Sequence, residues 1–224
     1  MTRDKLIEIA SDAVNDAELG NRDIPNIDLY VDQILNLVAD KQNQGSERHK
    51  GRQLTKTMIN NYSKDGIITP VKGKKYSREQ VVQILYVYSL KNTLSMGEIK
   101  RLLRGAYSIE GFDAASLSAL YNTYQDIKGV TRKKTVDFLS KEVLDGLSLD
   151  SESDADYISA VCALVSMSAH LKNIAQALID EKFPEPPTEE EEKEKAKEEK
   201  EKAKEEKKEE KAKKKEKKTD GASE

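Results

Sequence analysis

Apolar residues recur along this chain in several rhythms, and each rhythm predicts an element. Over residues 2–19, Leu6, Ile7, Ile9, Ala10, Ala13, Val14 and Ala17 fall on one side of a helix closed by Gly20. After the break at Ile24-Pro25-Asn26, Ile27, Tyr30, Val31, Ile34, Leu35 and Val38 repeat at helical spacing opposite Asp28, Asp32 and Asn36. That predicts a second helix running to about Gln42. Residues 54–65 place Met58, Ile59 and Tyr62 on one face, and Gly66 follows where a helix commonly ends in left-handed backbone. The rhythm then changes. Ile67-Ile68-Thr69-Pro70-Val71 reads as extended, Lys72-Gly73-Lys74-Lys75 as a turn, and Tyr76 as the return, so a short β-hairpin is expected.

Ser77-Arg-Glu-Gln80 and Ser95-Met-Gly-Glu98 are capping boxes, in which a hydroxyl and a carboxamide or carboxylate satisfy free backbone donors at a helix start. The first opens a helix to about Asn92 that is apolar nearly all round, from Val81 to Leu90, and must therefore be covered on several sides. The second opens a short helix with Ile99, Leu102 and Leu103 inward and Lys100, Arg101 and Arg104 outward. Beyond Gly105 the pattern is helical alone: 113–128, 131–147 and 153–183, separated by Gly129 and Gly146. In the last of these, Ile158, Val161, Leu164, Val165, Met167, Leu171, Ile174, Leu178 and Ile179 are expected in a bundle core, with Cys162 an inert buried thiol among them. No strict heptad run and no repeat of twenty to fifty residues is read.

Charge changes the picture. Residues 47–104 hold thirteen Lys or Arg against four Asp or Glu, a net of +9. Residues 1–46 carry four against nine and residues 105–183 seven against twelve, −5 each, so the whole-chain net of −3 conceals a polarised molecule. A concentrated positive segment attracts polyanions, and phosphate neutralisation supplies most sequence-independent affinity for duplex DNA. Residues 184–224 are almost wholly Glu, Lys and Ala, with fourteen Lys against sixteen Asp or Glu, and read as a solvated tail, unfolded or transiently helical.

Other chemistries find little support. One cysteine excludes an internal disulfide and a multi-cysteine metal site, and His49 and His170 are too far apart to suggest structural zinc. No acid, base and nucleophile stand in a recognisable order, so neither an enzyme nor a cofactor is expected. The amino terminus leads into no apolar signal region, and the longest apolar run, Ile84-Leu-Tyr-Val-Tyr-Ser-Leu90, is far short of the ~20 residues that span a bilayer. A cytoplasmic protein without a membrane partner is the expectation.

Three blocks in order carry a resemblance: Thr57-Met-Ile-Asn-Asn-Tyr-Ser-Lys-Asp-Gly-Ile-Ile68, Lys74-Lys-Tyr-Ser-Arg-Glu-Gln80, and Leu94-Ser-Met-Gly-Glu-Ile-Lys-Arg-Leu-Leu103. Together they resemble the winged helix-turn-helix of MerR-type transcriptional regulators over residues 26–104. More narrowly, Ile27-Asp-Leu-Tyr-Val-Asp-Gln33 with Leu54-Thr-Lys-Thr-Met-Ile-Asn-Asn-Tyr62 is similar to a bacterial family known only as a domain of unknown function, family 1836. The broader resemblance implies a DNA-reading helix over 55–65 and a basic wing over 69–76. Asn60-Asn61 stand where that superfamily usually has Arg-Tyr, and Lys74-Lys75 stand for its wing arginine, so its base preference does not carry over.

The expected fold is mainly all-α: an N-terminal helix (1–25), a winged helix-turn-helix with a small β-hairpin wing (26–105), a helical dimerisation or sensing region (106–183) and a charged Glu/Lys tail (184–224). The expected function is sequence-specific regulation of transcription through double-stranded DNA, by a homodimer, leaving room for a small-molecule effector that nothing in the sequence names. The alternative is a protein-interaction module that keeps the winged-helix shell without binding DNA. Candidate contacts are Lys56, Thr57, Asn60, Asn61, Tyr62 and Lys64 on the helix. Lys72, Lys74 and Lys75 join them from the wing, and Arg48 and Arg52 from just before the helix. Asn can pair with adenine, Lys with guanine or phosphate, and Thr with a thymine methyl.

Overall fold

A computed structural model describes residues 2–49, 51, 53–71, 73–150 and 152–186. The charged tail expected over 184–224 falls almost wholly outside them. The described residues up to Phe183 form one compact unit. It is mostly helical: α1 Arg3–Ala13, α2 Val31–Gln42, α3 Lys56–Lys64, α4 Arg78–Leu90, α5 Met96–Tyr107, α6 Ala114–Phe138 and α7 Asp154–Lys182. Strands β1 Leu29–Tyr30 and β2 Lys75–Tyr76 form a two-stranded antiparallel sheet.

α4 is the centre. Every residue from Gln80 to Tyr88 is buried, as an all-round apolar helix requires. Ser77 and Gln80 close the capping box that starts it, the Ser77 amide donating to Gln80 Oε1 at 2.9 Å. Around α4 pack Ile34 and Val38 of α2, Ile59 and Tyr62 of α3, Ile99 and Leu103 of α5, and Leu117 and Tyr121 of α6. Tyr86 meets Tyr121 and Tyr124 edge-on, and the Tyr121 hydroxyl donates to the Leu19 carbonyl at 2.7 Å. A satellite core of Leu6, Leu139, Val143, Leu144 and Ala160 joins α1 to the start of α7. Between α6 and α7 the chain makes a π-helical turn, Leu139–Asp145.

Several expectations are corrected. The first helix stops at Ala13, and residues 15–20 are irregular. There Asp16 and Glu18 face Lys128 of α6, both at 2.5 Å, and Asp16 also meets Arg132 at 2.8 Å. Gly129 does not break a helix: α6 runs straight through it, since one exposed glycine costs a helix only about 1 kcal/mol. Arg101 does not point freely outward, because its guanidinium meets Asp180 of α7 at 2.7 Å.

The expected hairpin is also different. Among the described residues, the arm 67–71 does not pair with the returning strand; β2 pairs instead with β1, Leu29 opposite Tyr76 and Tyr30 opposite Lys75. The reason lies in where the arm's backbone groups go. The Thr69 amide donates to Gln83 Oε1 at 2.9 Å, and Gln80 Nε2 donates to the Thr69 and Pro70 carbonyls at 3.1 and 3.0 Å. Side chains of α4 satisfy the groups a ladder would have used, and Pro70 has no N–H to offer.

α7 departs furthest. Cys162 is exposed, and so are Ile158, Val161, Val165, Met167, Leu171, Ile174 and Leu178. Only Ala160 and Ile179 of this helix are buried.

Candidate nucleic-acid interface

α3 is held at both ends. Thr55 Oγ1 accepts from the Met58 amide at 3.2 Å, and Gly66 leaves the helix at φ +63°. That value lies in the left-handed region, where a residue with a Cβ is strained. The Ile67 amide donates back to the Tyr62 carbonyl at 2.9 Å, folding the exit under the helix. Ile59 and Tyr62 are buried and Met58 packs on the core, so the helix has one fixed side. Its other side, Lys56, Thr57, Asn60, Asn61 and Lys64, is exposed.

Lys56, Asn60 and Lys64 follow one another at i, i+4 and i+8 along one edge of α3. With Lys74 from the loop they line a cleft of about 590 Å³. Thr57 and Asn61 occupy the adjoining stripe. Lys74 and Lys75 are exposed at the loop, where Gly73 takes φ +89°, and the Lys75 ammonium lies 5.1 Å from the Tyr30 ring centre. None of the ion pairs among the described residues involves Lys56, Lys64, Lys74 or Lys75. The cleft thus brings three ammonium groups and the Asn60 carboxamide together with the apolar Val31 and Val71, and with Asp32 as the acid in its lining.

Two of the sequence candidates behave differently. Tyr62 is only 3% exposed and its hydroxyl lies buried without a partner, so it supports α3 from beneath and cannot reach a ligand on the outer face. Burial, with Tyr88 nearby, pushes its hydroxyl up to about 12. Arg48 is exposed but lies 3.4 Å from the Asp12 carboxylate, apart from the cleft. Lys72 and Arg52 lie outside the described residues.

The structure adds Tyr30, Asp32 and Ser63 to the cleft, none of them a contact candidate from the sequence; Tyr30, expected on the inner face of the second helix, is exposed in β1. Tyr30 and Asp32 precede α3 by more than twenty residues, and only the β1–β2 pairing brings them beside Lys74. A two-residue strand leaves no periodic signal.

Beneath the loop lies a polar network that fixes its position. Gln83 is fully buried; it accepts from the Thr69 amide and hydroxyl, and its amide donates to the Tyr107 hydroxyl. Tyr107 donates in turn to Glu79 at 3.1 Å. Burial pushes the Tyr107 hydroxyl up to about 12, with Gln83 opposing and Glu79 reinforcing the shift. Because neighbouring groups satisfy one another, the arm 69–71 is tied to α4 as firmly as a strand to a sheet.

The molecule is thus a mostly helical protein that presents one short, two-sided helix beside a basic loop. Residues 19–124 match the model of a domain of unknown function, DUF1836. The match takes in every buried residue of the main core except Ile179. No curated protein and no solved structure matches the chain.

Proposed function

We propose that this chain is a sequence-specific DNA-binding regulator that works as a pair of copies. Lys56, Thr57, Asn60, Asn61 and Lys64 of α3 enter a major groove, and Lys74 and Lys75 follow the phosphate backbone. The observation that carries the reading is the outer face of α3. It is polar and positively charged, held by capping at Thr55 and by its buried Ile59 and Tyr62, and among the described residues it is exposed and enters no ion pair. An α-helix is about 10–12 Å across, which suits a major groove roughly 12 Å wide, and the nine residues of α3 extend about 13.5 Å. The net +9 of residues 47–104 supplies the long-range attraction. The order of blocks resembling the winged helix-turn-helix of MerR-type regulators supports the same assignment, although the loop pairs with β1 and not with its own outgoing arm.

The test is selection of random duplexes by the full-length protein, followed by anisotropy titrations of the selected sequence at rising salt. The expected result is binding at ~0.15 M salt at least ~10³ tighter than to random duplex. Lys56→Glu with Lys74→Glu is expected to lower the slope of log K against log salt by about 0.9 for each phosphate that is no longer neutralised. Equal affinity for selected and random duplexes refutes the specific reading.

A further inference from the structure

Helix α7 is apolar on more sides than its own chain covers. Tyr157, Ala160, Leu164, Met167, Leu171, Ile174 and Leu178 follow one another at alternating spacings of three and four, the seam of a helix that packs lengthwise on another helix. The heptad pattern is therefore present, contrary to the expectation from sequence. Its first half is used internally: Ala160 belongs to the satellite core and Leu164 packs against it. Its second half is bare, with Leu171 58%, Ile174 57% and Leu178 66% exposed.

The helix cannot turn to hide that stripe. On its other side Gln176 donates to Glu98 at 2.6 Å, Asp180 meets Arg101, and Ile179 lies in the main core. Ser95, at the start of α5, donates its amide to Glu98 at 2.6 Å, which holds that carboxyl below the usual range with help from Gln176. Anchored this way, α7 presents Met167, Leu171, Ile174 and Leu178 outward as a fixed row. Beside the row opens a groove of about 620 Å³, bordered by Phe138 and Leu164.

Three occupants are conceivable, and two fit poorly. Residues 187–224 contain no Leu, Ile, Val, Met or aromatic residue, so that segment has nothing apolar enough to lay there. α7 is long and apolar enough to cross a membrane by length and composition. Crossing would, however, strip Gln176, Ile179 and Asp180 from α5 and place Lys172 in hydrocarbon, at a cost of about 2.5–3.5 kcal/mol for the lysine alone. A second copy fits. Between Asp156 and Asp180 the sole formal charge is Lys172. The row Met167, Leu171, Ile174 and Leu178 is exposed, uncharged and spaced by three and four, the pattern by which one helix packs lengthwise on a copy of itself.

We propose that a second copy of this chain covers α7, with Leu171 and Ile174 of each packing on the same residues of the other about a two-fold axis. This gives the pairing of copies in the proposed function its surface, and it rests on no property of α3. The test is the mass of the full-length protein in solution by light scattering and sedimentation, without DNA. The expected mass is twice the 25.2 kDa of one chain. Leu171→Glu and Ile174→Glu, on exposed positions, should each weaken the pair roughly thirtyfold or more while leaving the helical circular dichroism intact. Leu171→Ser with Ile174→Ser is the milder second variant, and Lys64→Glu should leave the mass unchanged. A single-chain mass at ~100 µM wild type overturns the proposal, as does a pair that survives in folded variants. Flotation of a single-chain form with anionic lipid vesicles also overturns it and assigns the face to a membrane. A single-chain protein that still selects a duplex sequence would refute the pairing alone, and a pair that selects none would refute the DNA reading alone.

Discussion

Replacing Gln83 with Leu isolates the device that positions the candidate loop. The side chains are of similar size, so the core volume around α4 is nearly kept, but the amide is lost. In the wild type that amide takes the Thr69 amide at 2.9 Å and the Thr69 hydroxyl at 3.2 Å, and gives a hydrogen bond to Tyr107. Tyr107 retains Glu79 at 3.1 Å, and the groups that lose their partner are the Thr69 N–H and the Thr69 hydroxyl, of which the hydroxyl of this exposed residue can turn to water. An unpaired, partly buried donor costs about 1–3 kcal/mol, and the gain from burying a leucine offsets part of that. A net loss of about 1 kcal/mol in a unit of this size lowers the melting temperature by roughly 2–4 °C. The assay is thermal and urea unfolding followed by circular dichroism, with hydrogen exchange read at the Thr69 amide. The exchange measurement is the decisive one, because a purely hydrophobic disturbance of α4 would destabilise the protein without selectively exposing residue 69. A Gln83→Leu protein whose melting temperature stays within about 1 °C, with Thr69 protection unchanged, would show that this network does not hold the loop.

Two further outcomes follow from other parts of the fold. A Cβ added at Gly105 would clash with the edge of the Phe183 ring, so Gly105→Ala should cost about 1–3 kcal/mol by overpacking. Phe183→Ala should absorb most of that cost in the double variant, and full additivity in urea melts would contradict the contact. Burial raises the Asp16 carboxyl, but Lys128 and Arg132 outweigh burial and hold it below its ordinary value of 3.8. A lowered folded value means stabilisation that is complete above 3.8 and fades as pH falls through the folded value. As pH falls below about 3.8 the urea midpoint of wild type should therefore fall more steeply than that of Asp16→Asn, and parallel curves there would contradict this ion-pair account.

The sequence by itself determined the elements whose signal is local. Serine with a glutamine or glutamate three residues later started α4 and α5, because a capping box needs nothing beyond its own four residues. Gly66 marked the end of α3, and the burial of Ile59 and Tyr62 followed from helical spacing. The outward side of α3 was legible for the same reason. Only tertiary structure decided where non-local partners lie. The β1–β2 pairing joins residues 29–30 to 75–76, and the arm 67–71 spends its polar groups on Gln80 and Gln83 of α4; neither choice is encoded in the periodicity of the segment concerned. α7 shows the limit most clearly. Its apolar residues announce a helix that must be covered, but which side its own chain covers depends on Glu98 and Arg101, some eighty residues away. Hydrophobic spacing states how much surface must leave water, and the choice of what it is buried against belongs to the fold.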